Sequence, residues 1–127
     1  VSFGDTAVLK VGYLAEFAAS LWGREPVLVY NPGTRAGLAQ YPRPAAVCLF
    51  ESSKGFDSFM GALKTSEAEK TCALFYGASR EQAEKAWAQA CAREVGWFYV
   101  TELGRHNPWL RLSSHLGTGL SGAQVPR

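Results

Sequence analysis

The sequence predicts an α/β domain on about four parallel strands, half the number that closes a (β/α) barrel. Two observations carry this. Short apolar runs recur at Val27–Tyr30, Ala46–Phe50, Cys72–Tyr76 and Trp97–Thr101, and runs this short, rich in Val, Leu and aromatics, read as strands buried on both faces. Helix-period segments lie between the later runs, and strands alternating with helices pair in parallel through right-handed crossovers.

Each element has its own signal. Thr6–Trp22 reads as a helix because Val11, Leu14, Ala18 and Leu21 recur at steps of three and four, with Asp5 as N-cap and Gly23 as a stop. The first strand leaves through Asn31-Pro32-Gly33-Thr34, which is strong turn chemistry. Tyr41-Pro42-Arg43-Pro44 then holds the chain extended, since a residue before proline avoids the helical region. After the second strand, Phe56, Phe59, Met60 and Leu63 mark a short amphipathic helix facing the core. Ser79 with Gln82 forms a capping box for a helix through Val95, whose inner face is Ala83, Ala86, Trp87, Ala90 and Cys91 and which Gly96 ends. A last short helix is expected within Trp109–Gly117, and residues 120–127 read as a loose tail of one domain covering 1–127. Trp22, Trp87 and Trp97 read as core, while Trp109, beside Asn107-Pro108, is open to packing or to a ligand.

Bulk composition narrows the classes. At 127 residues, 47% apolar and 19% charged, the chain is an ordinary globular domain able to bury a sizeable core. A net charge of +2 with basic residues scattered among acids argues against nucleic acid as a partner. No run approaches the ~20 apolar residues of a membrane span, and no signal peptide is recognisable. The chain opens at Val1 without an initiator methionine and reads as a mature or excised piece. Cys48, Cys72 and Cys91 fit no zinc spacing and, being odd in number, cannot all pair, so they read as buried free thiols. His106 and His115 lack partners at metal-ligand spacing, and neither a metal nor an organic cofactor is implied.

Parallel strands gather their carboxyl ends on one rim, where such folds place their chemistry. The residues there are Asn31, Glu51, Tyr76-Gly77 and Thr101-Glu102, with Trp109 near in sequence. Carboxylates beside an aromatic platform suit sugar chemistry, in which one group donates a proton and another stabilises positive charge on the ring. The plain alternative is that a strand-end glutamate is a solvated terminator or a helix cap. Gly33-Thr34-Arg35-Ala36-Gly37 follows a strand like a phosphate loop but lacks the Gly-Lys-Ser/Thr ending. That leaves a phosphate-binding domain as a minor reading, and no nucleophile elbow is present.

Taken in order, Val29-Tyr30-Asn31-Pro32-Gly33-Thr34, Val47-Cys48-Leu49-Phe50-Glu51, Gly96-Trp97-Phe98-Tyr99-Val100-Thr101-Glu102 and Asn107-Pro108-Trp109 resemble the spherulin 4-like family across about residues 7–116. The resemblance implies the C-terminal half of a TIM-type barrel glycoside hydrolase, of a kind that cleaves α-1,4-linked N-acetylgalactosamine in microbial exopolysaccharide and biofilm and is often secreted. It implies that Glu51 is the catalytic glutamate. Asn31 and Glu102, the latter where the family usually has Asp, would line the sugar cleft together with Tyr41 and Trp109. Tyr99 and Thr101 match their family equivalents.

The sequence departs from the family pattern in two places. The family's second acidic site, an Asp-Glu pair, would precede the first helix, where this chain has Val1-Ser2-Phe3-Gly4-Asp5. The family's late Leu-Pro-Ser-Tyr-Trp reads Leu112-Ser113-Ser114-His115-Leu116. The alternative is therefore a non-catalytic carbohydrate-binding or structural module. In either reading an open half-barrel exposes two strand edges and an apolar face, and is expected to self-associate or to take a companion N-terminal half-barrel.

Overall fold

A computed structural model describes residues 5–24, 26–31, 38, 41 and 44–117, with the backbone alone for 5–12, 15 and 117. The elements are α1 (Asp5–Trp22), β1 (Val29–Tyr30), β2 (Ala46–Ser52), α2 (Phe56–Ala62), α3 (Thr65–Ala68), β3 (Thr71–Phe75), α4 (Arg80–Ala92), β4 (Trp97–Val100) and a 3-10 turn (Ser114–Gly117). The four strands form one sheet in the order β1-β2-β3-β4, and every neighbouring pair is parallel. The α/β parallel architecture expected from the apolar runs is thus present. The Asn-Pro-Gly-Thr turn beyond Asn31, the Gly33–Gly37 loop, most of the proline-rich segment and the tail lie outside the described residues.

One face of the sheet carries the core. Phe50, Ala73, Phe75 and Val100 point to it and meet Phe56, Met60 and Leu63 from α2 and its end, and Ala83, Ala86 and Ala90 from α4. Phe56 lies at the centre, stacked on Phe75 and in contact with Phe50, Phe59 and Phe98. Alanines at the contact stripe of α4 let that helix settle close to the sheet, and Trp87 beside them packs on Phe98. Strands in sequential order, with α2 and α4 on the same face, make the sheet singly wound. The opposite face carries none of these helices.

Local chemistry sets the helix ends. The Ser79 hydroxyl accepts from the Gln82 N–H at 3.2 Å, and the Gln82 side chain accepts from the Ser79 N–H at 2.9 Å, so the capping box forms as read. The helix stops at Ala92 rather than Val95. Glu94 takes the left-handed conformation (φ 55°) that usually falls to glycine, and the Val95 N–H closes back on the Ala90 carbonyl at 3.0 Å. Gly96 is therefore not the stop. Its N–H bonds the Ala68 carbonyl at 3.0 Å, and its missing side chain lets the α3–β3 turn lie against it.

Several sequence expectations need correction. Trp22 and Trp97, read as core, are 61% and 51% exposed. Trp97 starts β4 on the face opposite α2 and α4, and Trp22 ends a helix none of whose described side chains belongs to the core cluster. Leu14 and Leu21, expected to face inward from α1, are exposed, as are Tyr13 and Phe17. The periodicity of α1 is real, but α2 and α4 already fill the helix side of the sheet. The cysteines are free as expected, yet half-buried rather than buried. α3 was not foreseen, because four residues are too few to show a period.

Candidate functional site

A bulge in β2 determines what stands on the open face. Cys48 pairs with Cys72, but Phe50 pairs with Ala73, so one extra residue is inserted between Cys48 and Phe50. In a regular strand residues three apart point to opposite faces. The bulge instead turns Cys48 and Glu51 to the same side, opposite Phe50. By register Cys48 stands beside Cys72 and Trp97, and Glu51 beside Leu74 and Tyr99.

Glu51 is exposed at the carboxyl end of β2. The Asn31 side-chain amide, at the end of β1, donates to its Oε2 at 3.2 Å. These two residues, named separately from the sequence, are brought together. The amide fixes one carboxylate oxygen of a side chain that is exposed.

Glu102 has a different role. Its carboxylate accepts from the Ser113 hydroxyl at 3.0 Å and from the Ser114 N–H at 3.2 Å, and it pairs with Arg111 at 2.7 Å. It thereby anchors the segment carrying the 3-10 turn to the end of β4, aided by a 2.9 Å contact between His115 Nε2 and the Ala78 carbonyl. Burial alone would raise the carboxyl. Hydrogen bonds from its own backbone and from the backbone and side chain of Ser114 and the side chain of Ser113 outweigh that effect and hold its pKa at about 2.

The folded value therefore lies below the ordinary glutamate value, so this anchor stabilises the fold above about pH 4.5 and is lost as pH falls towards 2. Acid unfolding of Glu102→Gln should lose part of its slope in that window. At neutral pH the variant should be on the order of 2 kcal/mol less stable, a figure reduced for the partly solvated side chain. Urea titrations at pH 7 and pH 3 check both.

The aromatics divide in the same way. Tyr99 and Trp109 stack with centroids 4.7 Å apart and planes 25° apart, and Trp109 stays 62% exposed. Its N–H bonds the Asn107 side chain at 3.3 Å, which fixes the approach of the loop. Tyr41 instead lies on Tyr30 at 4.7 Å, and Tyr30 is buried and paired with Val47, whose side chain points to the helix face. The structure thus joins Asn31 with Glu51 and Tyr99 with Trp109. It joins Tyr41 to Tyr30, and Glu102 to the C-terminal segment.

The rim is made continuous by backbone bonds. The Tyr76 N–H meets the Ser52 carbonyl at 3.2 Å, that of Thr101 meets Phe75 at 2.9 Å, and that of Gly77 meets Leu103 at 2.8 Å. Sequence reading missed the thiol pair beneath Glu51 and the Ser113–Ser114 cage. A bulge leaves no mark in an apolar run, and the cage depends on residues eleven and twelve positions further on folding back. Among the described residues no three His, Cys, Asp or Glu side chains gather as metal ligands would, and no helix is long and apolar enough to cross a membrane. Comparison with family models, with curated proteins and with solved structures returned no match.

Proposed function

We propose that this rim is the glutamate-bearing half of a carbohydrate site of the glycoside hydrolase type, with Glu51 as its catalytic carboxylate. The observation that carries the reading is the exposed Glu51 held by Asn31 at a parallel strand end, with the Tyr99–Trp109 stack on the same rim. A sugar ring offers an apolar face to a flat aromatic, and hydroxyls to an amide and a carboxylate. The sequence resemblance to the spherulin 4-like family points to α-1,4-linked N-acetylgalactosamine polymers as the substrate class. In this reading the open edges of the sheet are covered by a companion N-terminal half-barrel that supplies the second acid.

One observation favours the binding-module reading instead. Glu102, the other strand-end acid, is engaged in anchoring its own loop, and β3 separates it from Glu51, so the two strands stand roughly 10 Å apart. A single available carboxylate binds sugar but does not complete a two-acid mechanism. Incubating the chain, alone and joined to an upstream half-barrel, with de-branched N-acetylgalactosamine-rich polysaccharide separates the readings by mass spectrometry of released oligosaccharides. Release by the joined form alone is the expected result. Release by neither, with retention of the chain on the immobilised polysaccharide, would establish the binding module.

A further inference from the structure

We propose that Cys48 and Cys72 form a reversible dithiol–disulfide pair on the open face of the sheet, beneath Glu51 and independent of what the rim binds. The two residues are direct register partners on neighbouring parallel strands. Such partners have Cα atoms about 4.8 Å apart, within the span a disulfide bridges. Both thiols are free and half-buried, so a small reagent reaches them while neither is freely solvated. The sheet separates them from Cys91, which lies on α4 on the helix side.

The arrangement also sets the chemistry of each sulfur. Cys48 donates to the Phe50 carbonyl at 3.5 Å. Its hydrogen bond with Cys72, reinforced by burial, holds it protonated, while the same bond lowers Cys72 despite burial and the Glu51 charge. The Cys48 proton is held by the Phe50 carbonyl, which leaves Cys72 as the attacking sulfur. Its thiolate displaces one thiolate from a low-molecular-weight disulfide such as oxidised glutathione, giving a mixed disulfide. Cys48 then loses its proton and attacks the Cys72 sulfur, expelling the second glutathione thiolate. Two protein thiols are oxidised, one small disulfide is reduced to two thiols, and the two protons go to them.

Closure asks the β-carbons to approach to about 3.8 Å, nearer than in a regular parallel pair. The bulge that begins just after Cys48 supplies the slack, because its extra residue frees β2 locally from the ladder.

The test is an alkylation count on the native chain after oxidised glutathione, followed by denaturation and iodoacetamide. The reduced chain takes up three groups, one for each cysteine. The oxidised chain is expected to take up one, at Cys91, to weigh two hydrogens less before alkylation, and to yield one linked peptide pair containing Cys48 and Cys72. In Cys48→Ser the reaction should stop at a glutathione adduct on Cys72. An independent probe needs no variant: phenylarsine oxide, which bridges two adjacent thiols, should bind the native reduced chain one to one and be displaced by a small dithiol. Three alkylations after oxidation, a link through Cys91, a stable glutathione adduct on Cys48 or Cys72 of the unsubstituted chain, or no arsenical binding would each overturn the proposal.

Discussion

Gly96→Ala is expected to remove the folded state under ordinary conditions. A β-carbon at this position would collide with the Glu69 carbonyl oxygen and stand 2.8 Å from its carbon. Both are backbone atoms, which cannot swing aside as a side-chain tip does. The turn that holds them is fixed from two directions. The Ala68 carbonyl accepts from Gly96 at 3.0 Å, and the Lys70 carbonyl accepts from Val47 at 2.8 Å where β2 begins. Pushing the turn away from Gly96 therefore displaces β3 from one neighbour or the other.

The expected loss is on the order of 4 kcal/mol, at the upper end for a single substitution and close to the whole stability of a small domain. Gly61→Ala is the control. It lies within α2 with nothing within 4 Å of its β-carbon, so it should gain roughly 0.5–1 kcal/mol from helix propensity alone. Urea unfolding of the two variants beside the unsubstituted chain reads both. An unchanged midpoint for Gly96→Ala would mean that β4 does not start against the α3–β3 turn.

Gly96 also marks the limit of what the sequence makes legible. From the chain alone it reads as a helix stop, because glycine after an apolar helix usually is one. The structure gives that task to Glu94 and uses Gly96 for close approach. A local signal identified the right boundary region and the wrong cause, since the deciding contact comes from Glu69, 27 residues earlier.

The same division runs through the site. Strand positions, the Ser79 capping box and the strand-end placing of Glu51 were legible, because each depends on a few adjacent residues. The direction in which Cys48 points was not, since it depends on a bulge that only the partner strand reveals. Glu51 and Glu102 look alike in sequence, each closing an apolar run. They part only when Ser113, Ser114 and Arg111 fold back onto one of them. The α1 stripe is the reverse case: its period is clear, but period names no partner, and Leu14 and Leu21 remain exposed.

In the hydrolase reading proposed above, Glu51→Gln carries the second large effect, and it falls on rate rather than on folding. Glutamine keeps the shape of the side chain and can still accept from the Asn31 amide, which the carboxylate meets at 3.2 Å. Glu51 is exposed, so the loss of charge should leave the melting temperature within about 1 °C. On that reading, what disappears is the ability to give, take or share a proton at the glycosidic oxygen. Removing such a group costs roughly 10²–10⁴-fold in rate. In whichever form of the protein cleaves the polysaccharide, oligosaccharide release by Glu51→Gln should therefore fall by at least about a hundredfold at unchanged stability.

The binding-module reading predicts something else for the same variant. With no bond broken there is no rate to lose, and exchanging one charged hydrogen-bond acceptor for a neutral one should weaken retention on the polysaccharide by only about three- to tenfold. Cleavage that survives within tenfold of the original would remove Glu51 from the chemistry and leave it as a residue that orients sugar. Loss of both cleavage and thermal stability would instead mean that the Asn31–Glu51 contact joins β1 to β2 as a structural tie, a role its exposed position argues against.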